Sequence, residues 1–527
     1  MWDLVIKNAK IIDGTGNPYY WGDVAVQNGK IAAIGKHLKN GLREIDARGM
    51  VLAPGFINSH SHGDMMADMD HTFYQEVEQG VTTQIAGMCG ISAAPFSPEH
   101  LDSDEEIALT VTPYDFRPTA ESRFRYTDYL RQMEKPQGNN MGLFVGHGTL
   151  RATIMGMENR CPTSEELEKM KALLRSCLEA GALGLSYGLA YPPGSFAEIP
   201  ELIALSSVVA QFNGVISVHL RNEGDHLVES VEEMLQVARE TGCRLVLSHH
   251  KSINEPNWGK TIETIALIEK ANSEGIDVYC DQYPYTASST GLKSRIPQHM
   301  HSLGEKRLLE MLSSPAERPG LREAMLLNMT PEQRFGTTMF GASPSHPEYT
   351  GRMVLDVAKE RKQDPCYLVM DVLYDDRLAT NGIYFCMQDE DVERVLRYPR
   401  TMIGADGIYY QGCSGAHPRA FGTFSRVLGR YVREKGVLTL EDAIRRMTSL
   451  PATVYGLHGK GLLQIGFDAD MVLFDENTIL DRATFTDFQA PGDGVKYVFL
   501  EGKTVVEQGH FNGCCQGHLI RRTASLL

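Results

Sequence analysis

Eight short apolar runs alternate with stretches of helical periodicity through the middle of this 527-residue chain. They fall at 51–57, 82–86, 141–145, 183–185, 215–218, 244–247, 277–279 and 402–404. Parallel strands need crossovers, and helical crossovers between short apolar runs indicate an α/β chain with a parallel sheet. Eight such units predict a (β/α)8, TIM-like barrel. One crossover helix is marked in detail. Thr163 and Glu166 have capping-box spacing, and Leu167, Met170, Leu174, Cys177 and Leu178 share one face. Gly181 then ends the helix. Residues 286–400, between the seventh and eighth runs, are far too many for an ordinary connection, and an insertion or lid is expected within 293–350.

Both chain ends have a different pattern. Asn28-Gly29 separates two β-type runs, a strong hairpin signal. Near the other end, Met471-Val472-Leu473-Phe474 precedes a second hairpin pattern around Glu501-Gly502. The economical division is a small β-sandwich domain built from residues 1–54 and 451–527, with the barrel at 55–450 between them. The formal charge of −16 disfavours nucleic acid or an anionic membrane as a partner. No apolar run reaches the roughly 18 residues of a spanning helix, and the start lacks a secretory pattern. The 10 cysteines are scattered without any CxxC, so a disulfide scaffold is not expected and a reducing, cytoplasmic setting is.

Chemistry-bearing residues follow the apolar runs. His60-Ser61-His62 comes after the first, Cys89 after the second and His147 after the third. His219 follows the fifth, His249-His250-Lys251 the sixth and Asp406 the eighth. In a (β/α)8 barrel these ends share one rim, and imidazoles, a thiol and a carboxylate there make a metal-site inventory. His60 and His62, two apart on extended chain, point the same way. Each residue also has a plainer reading. A lone Cys89 is a small core residue, Asp406-Gly407 is a common turn pair, and Tyr283 and Tyr285 are core aromatics. Of His249 and His250 only one readily points inward, and His249 is the expected ligand. His147 reads as structural, and Asp64 and Glu223 as supports for ligands or loops. Lys293 and Arg295 read either as solvated charges or as partners of an acidic substrate side chain.

Longer segments carry a resemblance. They include Gly55-Phe56-Ile57-Asn58-Ser59-His60-Ser61-His62, Gly87-Met88-Cys89-Gly90 and Gly181-Ala182-Leu183-Gly184-Leu185-Ser186. Tyr191-Pro192-Pro193-Gly194, His219-Leu220-Arg221-Asn222-Glu223 and Ser248-His249-His250-Lys251 continue the pattern. Asp281-Gln282-Tyr283-Pro284-Tyr285, Gly404-Ala405-Asp406-Gly407 and His417-Pro418-Arg419 complete it. The chain resembles the amidohydrolase superfamily and, within it, the N-acyl-D-amino-acid deacylase (D-aminoacylase) family. The resemblance implies zinc-dependent hydrolysis of N-acyl-D-amino acids, with a metal-bound water as nucleophile. It implies one tight zinc on Cys89, His219 and His249, and a second, weaker position on His60 and His62 with Cys89 between. Asp406 would be the general base and acid, and Tyr191 an oxyanion donor. Lys251, Tyr283, Ser289 and Arg419 would hold the substrate carboxylate. Many other amidohydrolases carry a carbamylated lysine after the fourth strand, where this chain has Leu185-Ser186 and no lysine. That departure weighs against a hydantoinase-like or dihydropyrimidinase-like enzyme. A non-catalytic scaffold protein is the remaining alternative, and the complete ligand set weighs against it.

Overall fold

The structure, a computed structural model, describes residues 1–111, 120–327, 329, 334–409, 411–413 and 415–522. The chain opens with β1 (Trp2–Ile11), β2 (Tyr20–Gln27), β3 (Lys30–Gly35), β4 (Gly41–Asp46) and β5 (Val51–Pro54). The β2–β3 turn is the expected Asn28-Gly29 pair, with left-handed φ of 52° and 74°. Two positive φ values match the twist of a tight hairpin, which Asn and Gly tolerate best.

The middle of the chain is α/β. Strands β6 (Phe56–Asn58), β7 (Val81–Ala86) and β8 (Asn140–Leu143) run parallel. So do β9 (Val145–Gly146), β10 (Gly184–Gly188), β11 (Val215–His219), β12 (Arg244–Leu247) and β13 (Val278–Gln282). The run at 141–145 is thus split at Phe144, whose N–H donates to Ala86 O at 2.9 Å. Between β13 and the last parallel strand lies an antiparallel sheet of β14 (Ser288–Gly291), β15 (Thr338–Ala342) and β16 (Asn381–Tyr384), in the order β14–β16–β15. Helices at Glu305–Ser313, Arg318–Leu327 and Pro365–Asp375 pack with it around Leu308, Leu321, Met325 and Leu373. Within the 293–350 stretch expected to hold an insertion, residues 328 and 330–333 lie outside the described residues. Strand β17 (Thr401–Ile403) then pairs parallel with β13. Two backbone hydrogen bonds join its end to that of β6: Ser59 N to Ile403 O (3.2 Å) and Asp406 N to His60 O (2.9 Å).

Two runs were read too short. The fourth continues to Gly188 and the seventh to Gln282. Their last residues include Ser186, Asp281 and Gln282, which are polar yet buried. Apolar patterning stops at such residues although the strand goes on; Ser186 and Asp281 are hydrogen-bonded inside rather than solvated. The capped helix is Ser164–Glu179, with Glu166 N donating to Thr163 Oγ1 (3.2 Å) and Thr163 N to Glu166 Oε2 (2.7 Å).

After the middle come β18 (Met471–Phe474), β19 (Val495–Leu500), β20 (Lys503–Glu507) and β21 (His510–Phe511). They join β1–β5 in one nine-stranded sheet, through antiparallel pairing of β18 with β5. Leu4, Ile6, Val24, Leu463, Met471, Leu473 and Phe499 pack together on it. Other late residues serve the middle. Val454, Tyr455 and Leu457 pack against Ile57, Leu183, Val215 and Val246, and β22 (Leu519–Ile520) pairs parallel with β8. Among the described residues no helix is long and apolar enough to cross a membrane.

Candidate metal centre and active site

Three of the residues that follow the parallel strands have left-handed backbones: Cys89 (φ 56°), His249 (φ 37°) and Asp406 (φ 49°). Such conformations cost non-glycine residues about 1–2 kcal/mol each, so the surroundings must hold them. The Cys89 loop is pinned by Asp64, whose carboxylate accepts from Gly87 N (3.1 Å) and Ala93 N (2.9 Å), and by Ser186 Oγ, which accepts from Gly90 N (3.1 Å). His249 N donates to Asp281 Oδ1 at 2.7 Å. Asp406 is tied to His60 through the backbone bond already described.

These loops converge. Cys89 Sγ lies 3.3 Å from His60 Nε2, 3.4 Å from His249 Nε2 and 3.8 Å from His219 Nδ1. His219 Nδ1 and His249 Nε2 are 2.9 Å apart. Asp406 Oδ1 is 3.1 Å from His62 Nε2 and 3.6 Å from His60 Nε2. Two donor groups result, His60–His62–Cys89–Asp406 and Cys89–His219–His249, each with its ligand atoms within 4.8 Å of one another. All are buried, and they share the thiol. Nitrogen, sulfur and carboxylate donors in so small a volume suit zinc. His62 Nδ1, buried and without a partner among the described residues, belongs to the same cluster.

A cavity of about 520 Å³ opens beside the cluster and is lined by His62, Cys89, His219, His249 and Asp406. Tyr191, Lys251, Tyr283, Ser289 and Arg419 line it too. Lys251 Nζ is bound to Glu223 Oε1 (2.5 Å) and approaches His249 Nδ1 (2.7 Å). Arg419 Nη1 stands 2.8 Å from Asp406 Oδ2, and its guanidinium lies over the Tyr283 ring at 4.6 Å. Among the described residues the buried Tyr283 OH has no hydrogen-bond partner. Tyr191 packs on His219, ring centroids 4.6 Å apart. Ser289 differs: its hydroxyl donates to Asn381 Oδ1 at 2.6 Å, inside the β14–β16 pair, so what it presents inward is its carbonyl, which accepts from Arg419 Nη2 (3.3 Å).

A family model described as "Amidohydrolase family" matches residues 43–506. A D-aminoacylase from Alcaligenes xylosoxydans xylosoxydans is 34% identical over 99% of this chain and 98% of its own. The chain belongs to the amidohydrolase family, in its D-aminoacylase group. An N-acyl-D-aspartate deacylase of the same organism is 38% identical to this amidohydrolase over 95% of the chain and 92% of its own. A crystal structure of an N-acyl-D-glutamate deacylase from Bordetella bronchiseptica, complexed with zinc and a phosphonate mimic of the tetrahedral intermediate, superposes with a TM-score of 0.84. It is 34% identical and covers 99% of both chains.

Electrostatics around the thiol of this amidohydrolase favour ligation. Burial opposes a charge on Cys89, but His60 and His249 pull it well below the usual thiol range. Burial likewise opposes ionisation of Asp406, yet Arg419 and His60 hold its carboxyl well below the ordinary value. Burial pushes the Tyr191 and Tyr283 phenols up, keeping both as hydrogen-bond donors. The remaining polar residues sort by contact. His147 Nε2 meets Glu201 Oε1 at 2.7 Å and His250 Nε2 meets Thr264 Oγ1 at 2.7 Å, both away from the thiol. Lys293 Nζ donates to Glu106 O at 3.0 Å. Arg295, also on the cavity wall, stacks over Tyr384 at 4.2 Å, and its Nε has no partner among the described residues. Sequence reading did not single out Asp281, which holds His249 N and stands 3.3 Å from His60 Nδ1. Its signal was a carboxylate at the end of a run otherwise read as finished.

Proposed function

We propose that this amidohydrolase cleaves the amide bond of N-acyl-D-amino acids, releasing a carboxylic acid and a free D-amino acid. One observation carries the reading: a shared thiolate in a six-residue His/Cys/Asp cluster, beside a cavity whose wall holds Lys251 and Arg419. Cys89, His219 and His249 would hold a tight zinc, with His60 and His62 forming a weaker position that includes Cys89. Zinc, when bound, supplies an acidified water and polarises the amide carbonyl.

The chain's own residues do the rest. Asp406, kept ionised by Arg419 and oriented by His62, takes a proton at Oδ1 and returns it to the departing amine nitrogen. Tyr191 donates to the carbonyl oxygen as charge grows there. Lys251, Arg419 and the free Tyr283 hydroxyl bind the α-carboxylate. Ser289 contributes through its carbonyl, which orients Arg419. One clamp on the carboxylate and one direction of proton delivery favour a single enantiomer. Arg295 supports an acidic side chain on the amino acid. The parallel strands β6–β13 and β17, with β8 and β9 counted as one broken strand, are read as one (β/α)8 barrel at 55–450 with its insertion, and the nine-stranded sheet as the β-sandwich of 1–54 and 451–527. The free state of the 10 cysteines supports a reducing, cytoplasmic setting.

The test is release of free amino acid from paired N-acetyl-D and N-acetyl-L substrates with acidic and apolar side chains. Turnover of the D members is expected, greatest for acidic ones, with a loss of roughly 10²–10⁴-fold in kcat for Asp406→Ala. Preference for L substrates, or for hydantoin ring opening, sinks the proposal.

A further inference from the structure

The loops carrying His60 and Asp406 share one anchor. Asn58 Oδ1 accepts from His60 N (3.2 Å) and from Ala405 N (2.8 Å). Two backbone donors on that oxygen fix which way the amide faces. Its Nδ2 therefore points outward, to Glu76 Oε1 at 2.9 Å. Glu76 Oε2 accepts from Asn139 Nδ2 (3.2 Å), and Asn139 Oδ1 accepts from Gln84 Nε2 (2.7 Å). Gln84 Oε1 then accepts from Ser61 Oγ (2.7 Å), which itself accepts from Gly63 N (3.0 Å). The series leaves the chain at residue 58 and returns at 61 and 63, enclosing both histidines of the His-x-His segment. All its side chains are buried.

Glu76 is the one ionisable member, and two amides rather than a cation meet its carboxylate. Burial pushes its carboxyl up to about 7. A carboxyl raised this far subtracts stability above its ordinary pKa, so packing alone favours an amide or apolar residue at this position.

We propose that Glu76 is a positioning residue of the hydrolytic centre. Through Asn58 it sets the spacing of His60 and Asp406, whose Nε2 and Oδ1 are 3.6 Å apart. Through Asn139, Gln84 and Ser61 it fixes the segment bearing His62. Its reach, more than its charge, does this work.

Glu76→Asp retracts the carboxylate by one methylene, whereas Glu76→Gln keeps an oxygen on Asn58 and, with the amides of Asn139 and Gln84 reversed, donates to Asn139 Oδ1 so that the arm to Ser61 stays paired. Each variant is compared with the parent in kcat and KM at saturating zinc, and in loss of bound zinc to a chelator. In Glu76→Asp, kcat falls and zinc leaves faster, each by roughly 10-fold or more, with the parent KM. Glu76→Gln stays close to the parent in all three. Parent-like kcat and zinc retention in Glu76→Asp, a loss confined to KM, or equal impairment of the Gln variant would overturn the proposal. Should Glu76→Asp not fold, Asn139→Ala decides, since it cuts the arm to Ser61 and leaves Asn58 paired. Faster zinc loss then supports the proposal and parent retention refutes it. The kcat comparison rests on the hydrolase reading, while zinc retention needs no substrate and decides alone if the parent hydrolyses nothing.

Discussion

Cys89 sits within 3.8 Å of three imidazoles on a left-handed backbone, a costly arrangement that a packing thiol does not need. Buried carboxyls elsewhere have measurable costs of their own. Asp104 accepts from Ser97 N (2.8 Å) and contacts Thr153 Oγ1 (3.2 Å), but that hydroxyl already gives its proton to Pro95 O (2.9 Å). Burial pushes the Asp104 carboxyl from 3.8 up to about 7. The penalty of ionising it in the fold is absent below its ordinary pKa and complete above the raised one. Asp104→Asn, whose amide can donate to Thr153, is therefore expected to stabilise the protein by on the order of 3 kcal/mol above pH 7. The gain fades as pH falls towards 4, and chemical denaturation at several pH values measures it. Cys89, His219, His249 and Asp406 were legible in the sequence because each follows an apolar run. Asp281, Glu76 and Asn58 were not singled out as working residues, because, apart from His60 N beside Asn58, the partners that matter lie 18 to 347 residues away and no local spacing connects them.

Strand ends aim these side chains, and one glycine makes room for the backbone of Cys89. A Cβ on Gly188, at the end of β10, would stand 2.0 Å from Cys89 O and 2.8 Å from its carbonyl carbon. Neither backbone atom can yield without moving the loop. Gly188→Ala should leave the circular dichroism spectrum intact while lowering zinc affinity roughly 10-fold or more, read by metal competition. Unchanged affinity would mean that the loop is not set by this contact. The helix Ser164–Glu179 was legible from its caps and its buried face. The β14–β16 sheet was not, since Ser288-Ser289-Thr290-Gly291 has no apolar alternation and is only partly buried. Its effect reaches the site, because pairing with β16 takes the Ser289 hydroxyl for Asn381.

At the scale of the whole molecule, late segments return to complete earlier ones. Gln137 N and Met141 N donate to Gly517 O and His518 O (each 3.0 Å), and Gly517 N donates to Gln137 O (2.7 Å). Arg522 N donates to Gly181 O at 3.0 Å. Removing residues 517–527 is expected to cost at least roughly 2–6 kcal/mol of stability, from these four bonds at about 0.5–1.5 kcal/mol each, before the lost β22–β8 pairing is added. KM should not change, since none of the described residues 517–522 lines the cavity, and thermal denaturation with steady-state kinetics checks both. The net charge of −16 also becomes compatible with an anionic substrate. Lys251 and Arg419 rest against Glu223 and Asp406, so a carboxylate meets local cations rather than the mean field. The central claim is that the Cys89 cluster holds the zinc on which hydrolysis depends. Its most direct measurement is release of D-glutamate from N-acetyl-D-glutamate, with the L enantiomer alongside, as zinc is titrated into metal-stripped protein. The account predicts no turnover without metal, activity returning with zinc for the D substrate, and none in Cys89→Ala. Full activity in the stripped protein or in Cys89→Ala, or equal turnover of both enantiomers, would contradict it.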